Sequence, residues 1–133
     1  MNIMIDANII ISAILFPKSI ISETLKHIVL YSKITLCQYT IDEIRDVFNR
    51  KFPNKLNEME KFLMKLPYEL FSLNKINIKK YPNIRDINDI PVIANAIESK
   101  VEILITGDKD FDGLKIKKLR IMKPNEYKEL YIK

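Results

Sequence analysis

Two kinds of apolar pattern alternate along the chain. Short uninterrupted runs at residues 2–5, 34–37, about 69–73, 101–106 and about 119–122, each bounded by polar residues, predict buried β-strands. Between them apolar positions recur at helical spacing over roughly 8–15, 18–31, 40–51, 55–65 and 88–99, with a last helical stretch near 125–131. Strands that alternate with helices imply right-handed crossovers and parallel pairing. The pattern therefore predicts an α/β fold of three layers, a central parallel sheet of about five strands with helices on both faces. Sheets of this class carry function at the carboxyl ends of their strands, beside the point where strand order reverses.

That rule gives meaning to the acids. Asp6 directly follows Ile3-Met4-Ile5, and Asp108 follows Ile103-Leu104-Ile105-Thr106-Gly107, with Asp110 two residues on. If the two strands are neighbours, both carboxylates enter one crevice. Helices of this fold class begin at the same edge, where "YTIDEIRDVF" brings Glu43 and "DINDIPVIANAIESK" brings Asp89, with Pro91 just inside the helix. Each acid also has a local explanation. Thr40-x-x-Glu43 reads as a capping box, Asp89 suits the positive end of a helix, and Asp108 and Asp110 suit a turn.

Asp6 is harder to explain locally, because burial after a core strand disfavours its charged form. Asp6, Glu43, Asp89 and Asp108 at one edge would repel one another, and a divalent cation is the usual remedy. Carboxylate oxygens suit Mg²⁺ or Mn²⁺, whereas one histidine and one cysteine argue against a dedicated zinc site. His27 lies in an amphipathic helix without triad or ligand spacing, and Cys37 closes an apolar run; both read as structural.

At 133 residues without a Pro/Gly/Ser-rich linker or repeat, the chain fits one domain, residues 1–133. The apolar N-terminus lacks a basic leader and a cleavage site and is broken by Asp6 and Asn8, so a cytoplasmic protein with no membrane span is expected. The net charge of +5 is directional: lysines cluster in "KINIKK" and "KIKKLR" while acids occupy the strand ends. Lys109, Lys117 and Lys118 are candidates to meet a phosphate backbone, and a solvated lysine face explains them equally well. Phe16, Phe111 and Tyr127 suit core packing better than base stacking.

Taken in order, "MIDANIIISAILFP", "IDEI", "DINDIPVIANAI" and "ILITGDKDF" closely resemble the motifs of the PIN-domain family, above all its small VapBC-type toxins. The resemblance covers essentially the whole chain. It implies a Rossmann-like fold, three or four acids binding Mg²⁺ or Mn²⁺, ribonuclease activity, a small antitoxin as partner and a possible homodimer. Carried over, the acids are Asp6, Glu43, Asp89 and Asp108, with Asp110 auxiliary and Asn8 and Thr106 at positions that orient ligands or water. Asp6, Asp89 and Asp108 are the expected metal ligands. One departure is Asn88, where many relatives carry a further acid.

Two other functions fit acids at strand ends. An aspartyl-phosphate phosphatase or receiver-like domain is one, although a haloacid-type phosphatase requires a second aspartate where this chain has Asn8. A non-catalytic PIN-fold module that binds a protein is the other.

Overall fold

The computed structural model describes residues 1–133. Five short strands, β1 (Asn2–Ile5), β2 (Lys33–Leu36), β3 (Tyr68–Leu70), β4 (Ile103–Ile105) and β5 (Arg120–Met122), pair in parallel in the order β3-β2-β1-β4-β5. The helices are α1 (Ala7–Leu15), α2 (Ile20–Tyr31), α3 (Gln38–Lys51), α4 (Leu56–Lys65), α5 (Ile90–Glu98) and α6 (Pro124–Tyr131). The expected α/β fold is present, with all five strands and six helices in the expected order and overlapping the expected ranges. No single helix is long and apolar enough to cross a membrane.

Alternation along the strands divides the core. Ile3, Ile5, Ile34, Leu36, Ile103 and Ile105 pack with α1 to α4 and Tyr127 of α6, whereas Met4 and Leu104 turn the other way, against Val92, Ile93 and Ala96 of α5. Period-two side-chain direction thus makes three layers of unequal thickness. On the thicker side His27 Nδ1 lies 2.8 Å from the Tyr127 hydroxyl, which satisfies two polar groups at the packing boundary and gives His27 the structural role expected of it. Tyr127 and Phe111 are core residues; Phe16 is exposed.

Strand order reverses at β1, because β2 lies on one side of it and β4 on the other. Ile5 is level with Ile105, and the Asp6 amide donates to the Ile105 carbonyl at 2.9 Å. The two strand ends that carry Asp6 and Asp108 are therefore adjacent.

The start of α3 differs from expectation. Thr40 is not its N-cap. β2 ends at Leu36 and only Cys37, in extended conformation, separates strand from helix, so the helix begins at Gln38. The Gln38 amide donates to Ser72 Oγ at 2.7 Å, a cap supplied from beyond β3. The buried Thr40 hydroxyl instead lies 3.3 Å from Cys37 Sγ. Glu43 is consequently in the second turn of the helix and closes no capping box.

A local strain closes α5. Lys100, just past its C-cap Ser99, has φ of 62°. Glycine is favoured at this left-handed position because a Cβ crowds the backbone. Lys100→Gly is expected to stabilise the protein by about 1 kcal/mol and to raise Tm by roughly 3–5 °C in thermal unfolding.

Candidate active site at the carboxyl edge of the sheet

Asp6 caps α1, accepting the Ala7 amide on Oδ1 at 2.8 Å, while Oδ2 accepts the Thr106 hydroxyl at 2.7 Å. That hydroxyl in turn accepts the Asp108 amide at 3.1 Å. Thr106 thus locks the ends of β1 and β4 together through one oxygen, donating to the first acid and fixing the backbone of the next. Burial raises the pKa of Asp6, the Thr106 and Ala7 hydrogen bonds oppose the rise, and Asp108 adds to it; burial prevails.

Asp108 opens the turn at Lys109–Phe111, where its Oδ1 accepts the Asp110 amide at 2.9 Å. One of its oxygens therefore serves the turn, as the local reading of this acid expects. On α3 the half-buried Glu43 has its pKa raised by burial, then by Asp6 and Asp108.

Asp89 stands at the start of α5 without capping it. The helix-start role falls to Asp86, whose Oδ1 accepts the Asn88 amide at 2.9 Å. Asp89 Oδ2 is buried and receives no hydrogen bond; Asp110 can supply one only when one of the two carboxyls carries a proton. The pKa of Asp89 is pushed up to about 7, first by burial, then by Asp108 and Asp86, then by the contact with Asp110 and by Asp6.

Asp86, Asp89 and Asp110 each offer a carboxylate oxygen within 4.8 Å of the others. This trio is tighter than the grouping of Asp6, Asp89 and Asp108, although Asp6 and Asp108 both act on Asp89 electrostatically. The single ion pair to any of these acids is a long one, Arg85 Nη1 to Asp110 Oδ1 at 3.7 Å, from an arginine that is mostly in solvent.

Two site residues were missed in the sequence. Asp86 stands three residues before Asp89, a spacing that returns to the same side of a helical turn, so Asp86-x-x-Asp89 was a readable signal. It puts an acid back into the segment where Asn88 lacks one. Tyr39 is the other: its hydroxyl donates to the Asn88 carbonyl at 2.9 Å and ties the start of α3 to the turn before α5. Burial and then Glu43, Asp89, Asp86 and Asp6 raise its pKa, which places the phenol over the acids.

Of the other expected residues, Asn8 is exposed on the first turn of α1, and Lys109 is exposed between Asp108 and Asp110. Lys117 and Lys118 form a tight turn between Ile116 and Leu119, with φ of 67° at Lys118. Because β5 starts level with the start of β4, that turn lies at the amino edge of the sheet, opposite the acids.

A parallel sheet whose reversal point gathers six carboxylates is the ligand-binding crevice of a doubly wound α/β protein. Comparison with known families gives this class a narrower name. The model of the PIN domain matches residues 2–110, and the chain belongs to that family. Among solved structures, a chain of VapBC2 from Rickettsia felis, crystallised bound to a DNA fragment from their promoter, superposes with a TM-score of 0.67 at 18% identity, over 92% of this chain and 98% of that one. At that identity the likeness establishes the shared fold. No curated protein matches the chain.

Proposed function

We propose that this protein is a metal-dependent endoribonuclease, a single PIN-like nuclease domain that acts as the toxin of a type II toxin-antitoxin pair in the cytoplasm. The observation that carries the reading is Asp89: a carboxylate with a buried oxygen that no protein donor reaches, facing further acids of which Asp110 alone meets an arginine, Arg85 at 3.7 Å. An uncompensated carboxylate cluster is costly, and an oxygen-only donor set suits Mg²⁺ or Mn²⁺. Asp6, Asp89 and Asp108 would hold the ion, and Asp86 and Asp110, grouped with Asp89, would add further carboxylate oxygens.

When bound, the metal supplies a water of lowered pKa and neutralises charge on the phosphate oxygens. The protein's own residues do the rest. The Ala7 amide and the Thr106 hydroxyl hold Asp6 in one rotamer, so that its geometry is set before substrate arrives. Glu43, whose pKa is raised by burial and then by Asp6 and Asp108, would take a proton from the attacking water at its carboxylate. Tyr39 fixes the turn that carries Asp86 and Asp89. Asn8 orients substrate or water at the rim, and Lys109 offers an ammonium to a phosphate beside Asp108.

A partner surface supports the toxin half of the reading. An apolar groove of about 480 Å³ between α2 and α4 is lined by Leu25, Val29, Leu30, Phe62 and Leu66, with Lys26 and Lys65 at its rim. Such a groove suits the apolar face of a small antitoxin carrying acidic residues. VapBC2 itself is a complex bound to its promoter DNA, in keeping with that assembly.

Cleavage of a panel of single-stranded and structured RNAs tests the activity. Wild type with Mg²⁺ or Mn²⁺ is expected to cut, and both chelation and Asp6→Asn/Asp108→Asn are expected to stop it. Metal-independent cutting, or none by wild type, rejects the reading. Because the Lys117–Lys118 turn lies at the amino edge of the sheet, opposite the acids, charge reversal at both lysines is expected to leave the salt dependence of RNA binding and the metal affinity unchanged. A slope flattened by about one counterion per lysine would show that RNA also reaches that edge.

A further inference from the structure

Beside the acid crevice lies a second cavity, of about 600 Å³, with Thr106 and Asp108 themselves among its lining residues. It runs along β5 under the chain that returns from Phe111 to Leu119, with α6 as its far wall. Its volume falls in the range of pockets that bury small ligands, roughly 300–1,000 Å³. Apolar side chains, Phe111, Leu114, Ile116 and Leu119 among them, line about half of it. Lys115 and the Lys123–Asp112 pair, 3.3 Å apart, stand among its lining groups.

β5 is an edge strand, with β4 on one side and no strand on the other. The Arg120 amide donates to the Glu102 carbonyl at 2.9 Å, and the Met122 carbonyl accepts the Thr106 amide at 3.0 Å, so residues 120 and 122 face β4. In a parallel ladder the residue between them faces the opposite way. The N–H and C=O of Ile121 are therefore directed to the open edge, a donor and an acceptor side by side on a strand that lines the cavity.

We infer that this groove takes the unstacked nucleobase next to the scissile phosphate, and that the Ile121 backbone reads its hydrogen-bonding edge; the inference rests on the nuclease reading above. Continuity decides the occupant, because a strand whose phosphate lies at Asp108 can turn its neighbouring base into the cavity that Asp108 also lines. An extended peptide is the competing guest of an open strand edge. β5 offers it only one outward-facing residue in a strand of three, too short for a ladder. Apolar walls around a few polar groups suit a base, whose faces stack and whose edge carries donors and acceptors.

The test is an abasic scan through a short single-stranded RNA that wild type cuts at one place. One abasic position, adjacent to the cut, is expected to lower kcat/KM about tenfold, the scale of losing one stacked base. Filling the groove with Ile121→Trp or, as a second variant, Leu114→Trp is expected to lower kcat/KM on the intact RNA similarly and to erase the abasic penalty, with thermal unfolding checking the fold of each. Without added metal, 2-aminopurine at that position should change fluorescence on binding wild type and not on binding the filled variants. A flat scan with cleavage intact overturns the pocket and leaves the nuclease reading standing. A folded filled variant that keeps the wild-type scan also overturns it, because the base then lies elsewhere. Absence of any RNA binding or cleavage by wild type overturns both.

Discussion

Replacing Asp89 by asparagine is expected to make the metal-free protein more stable at neutral pH while cutting metal-dependent RNA cleavage by at least about a hundredfold. The stability gain follows from the raised pKa. Asp89 titrates at about 7 in the folded protein and near 3.8 without its surroundings. Between those values the folded state holds a proton that the unfolded state has released, so the stability of metal-free wild type falls as pH rises from about 4 to 7. Taken whole, such a shift corresponds to about 4 kcal/mol. Asp89 is only partly buried, and screening by solvent and salt reduces this to the order of 1–2 kcal/mol. Asp6 and Glu43, also shifted upward, add to the same slope. Urea unfolding of metal-free wild type and Asp89→Asn at pH 5 and pH 7.5 measures it. The two proteins should be close at pH 5, with the variant ahead at pH 7.5. A wild type more stable at pH 7.5 than at pH 5 would show that the carboxylates are already compensated within the fold.

Glu43→Gln should separate chemistry from structure with comparable force. In the second turn of α3, away from the helix start, Glu43 has no amide to cap, so glutamine costs no helix-end hydrogen bond. The replacement also removes a charge that Asp6 and Asp108 disfavour, and the variant should melt no lower than wild type. Its cleavage rate should nonetheless fall roughly a hundredfold or more, the scale of losing a general base. A variant as active as wild type would leave Glu43 as one more acid in the crevice and shrink the working site to the aspartates.

Those two residues also show how much the sequence could reveal. Asp6 and Asp108 were legible because an acid directly after a buried run has few reasons to be there, and because parallel α/β topology sends such strand ends to one edge. Glu43 and Asp89 were legible as members of that edge through helix direction alone. The capping box at Thr40 was misread because Thr-x-x-Glu is a local pattern, whereas the true start of α3 is settled by the length of β2 and by Ser72, distant in sequence. Asp86 was passed over for a related reason: its approach to Asp89 and Asp110 depends on how a short 3₁₀ turn packs against the loop after β4. Nothing local marks Tyr39, whose partner is a backbone carbonyl on another segment. β3 is three residues long, ending in exposed Glu69 and Leu70 at the sheet edge, and its register against β2 follows from pairing that periodicity alone does not encode.

The proposed binding of a divalent cation by these carboxylates is tested most directly by thermal unfolding with and without metal. At a metal concentration about a hundredfold above Kd, linkage stabilises the folded state by about 2.7 kcal/mol, a rise in Tm of roughly 10 °C for a protein of this size. Wild type should show that rise with Mg²⁺ or Mn²⁺, and Asp6→Asn/Asp108→Asn should lose most of it. An equal shift in both proteins, or none in wild type, would contradict the account.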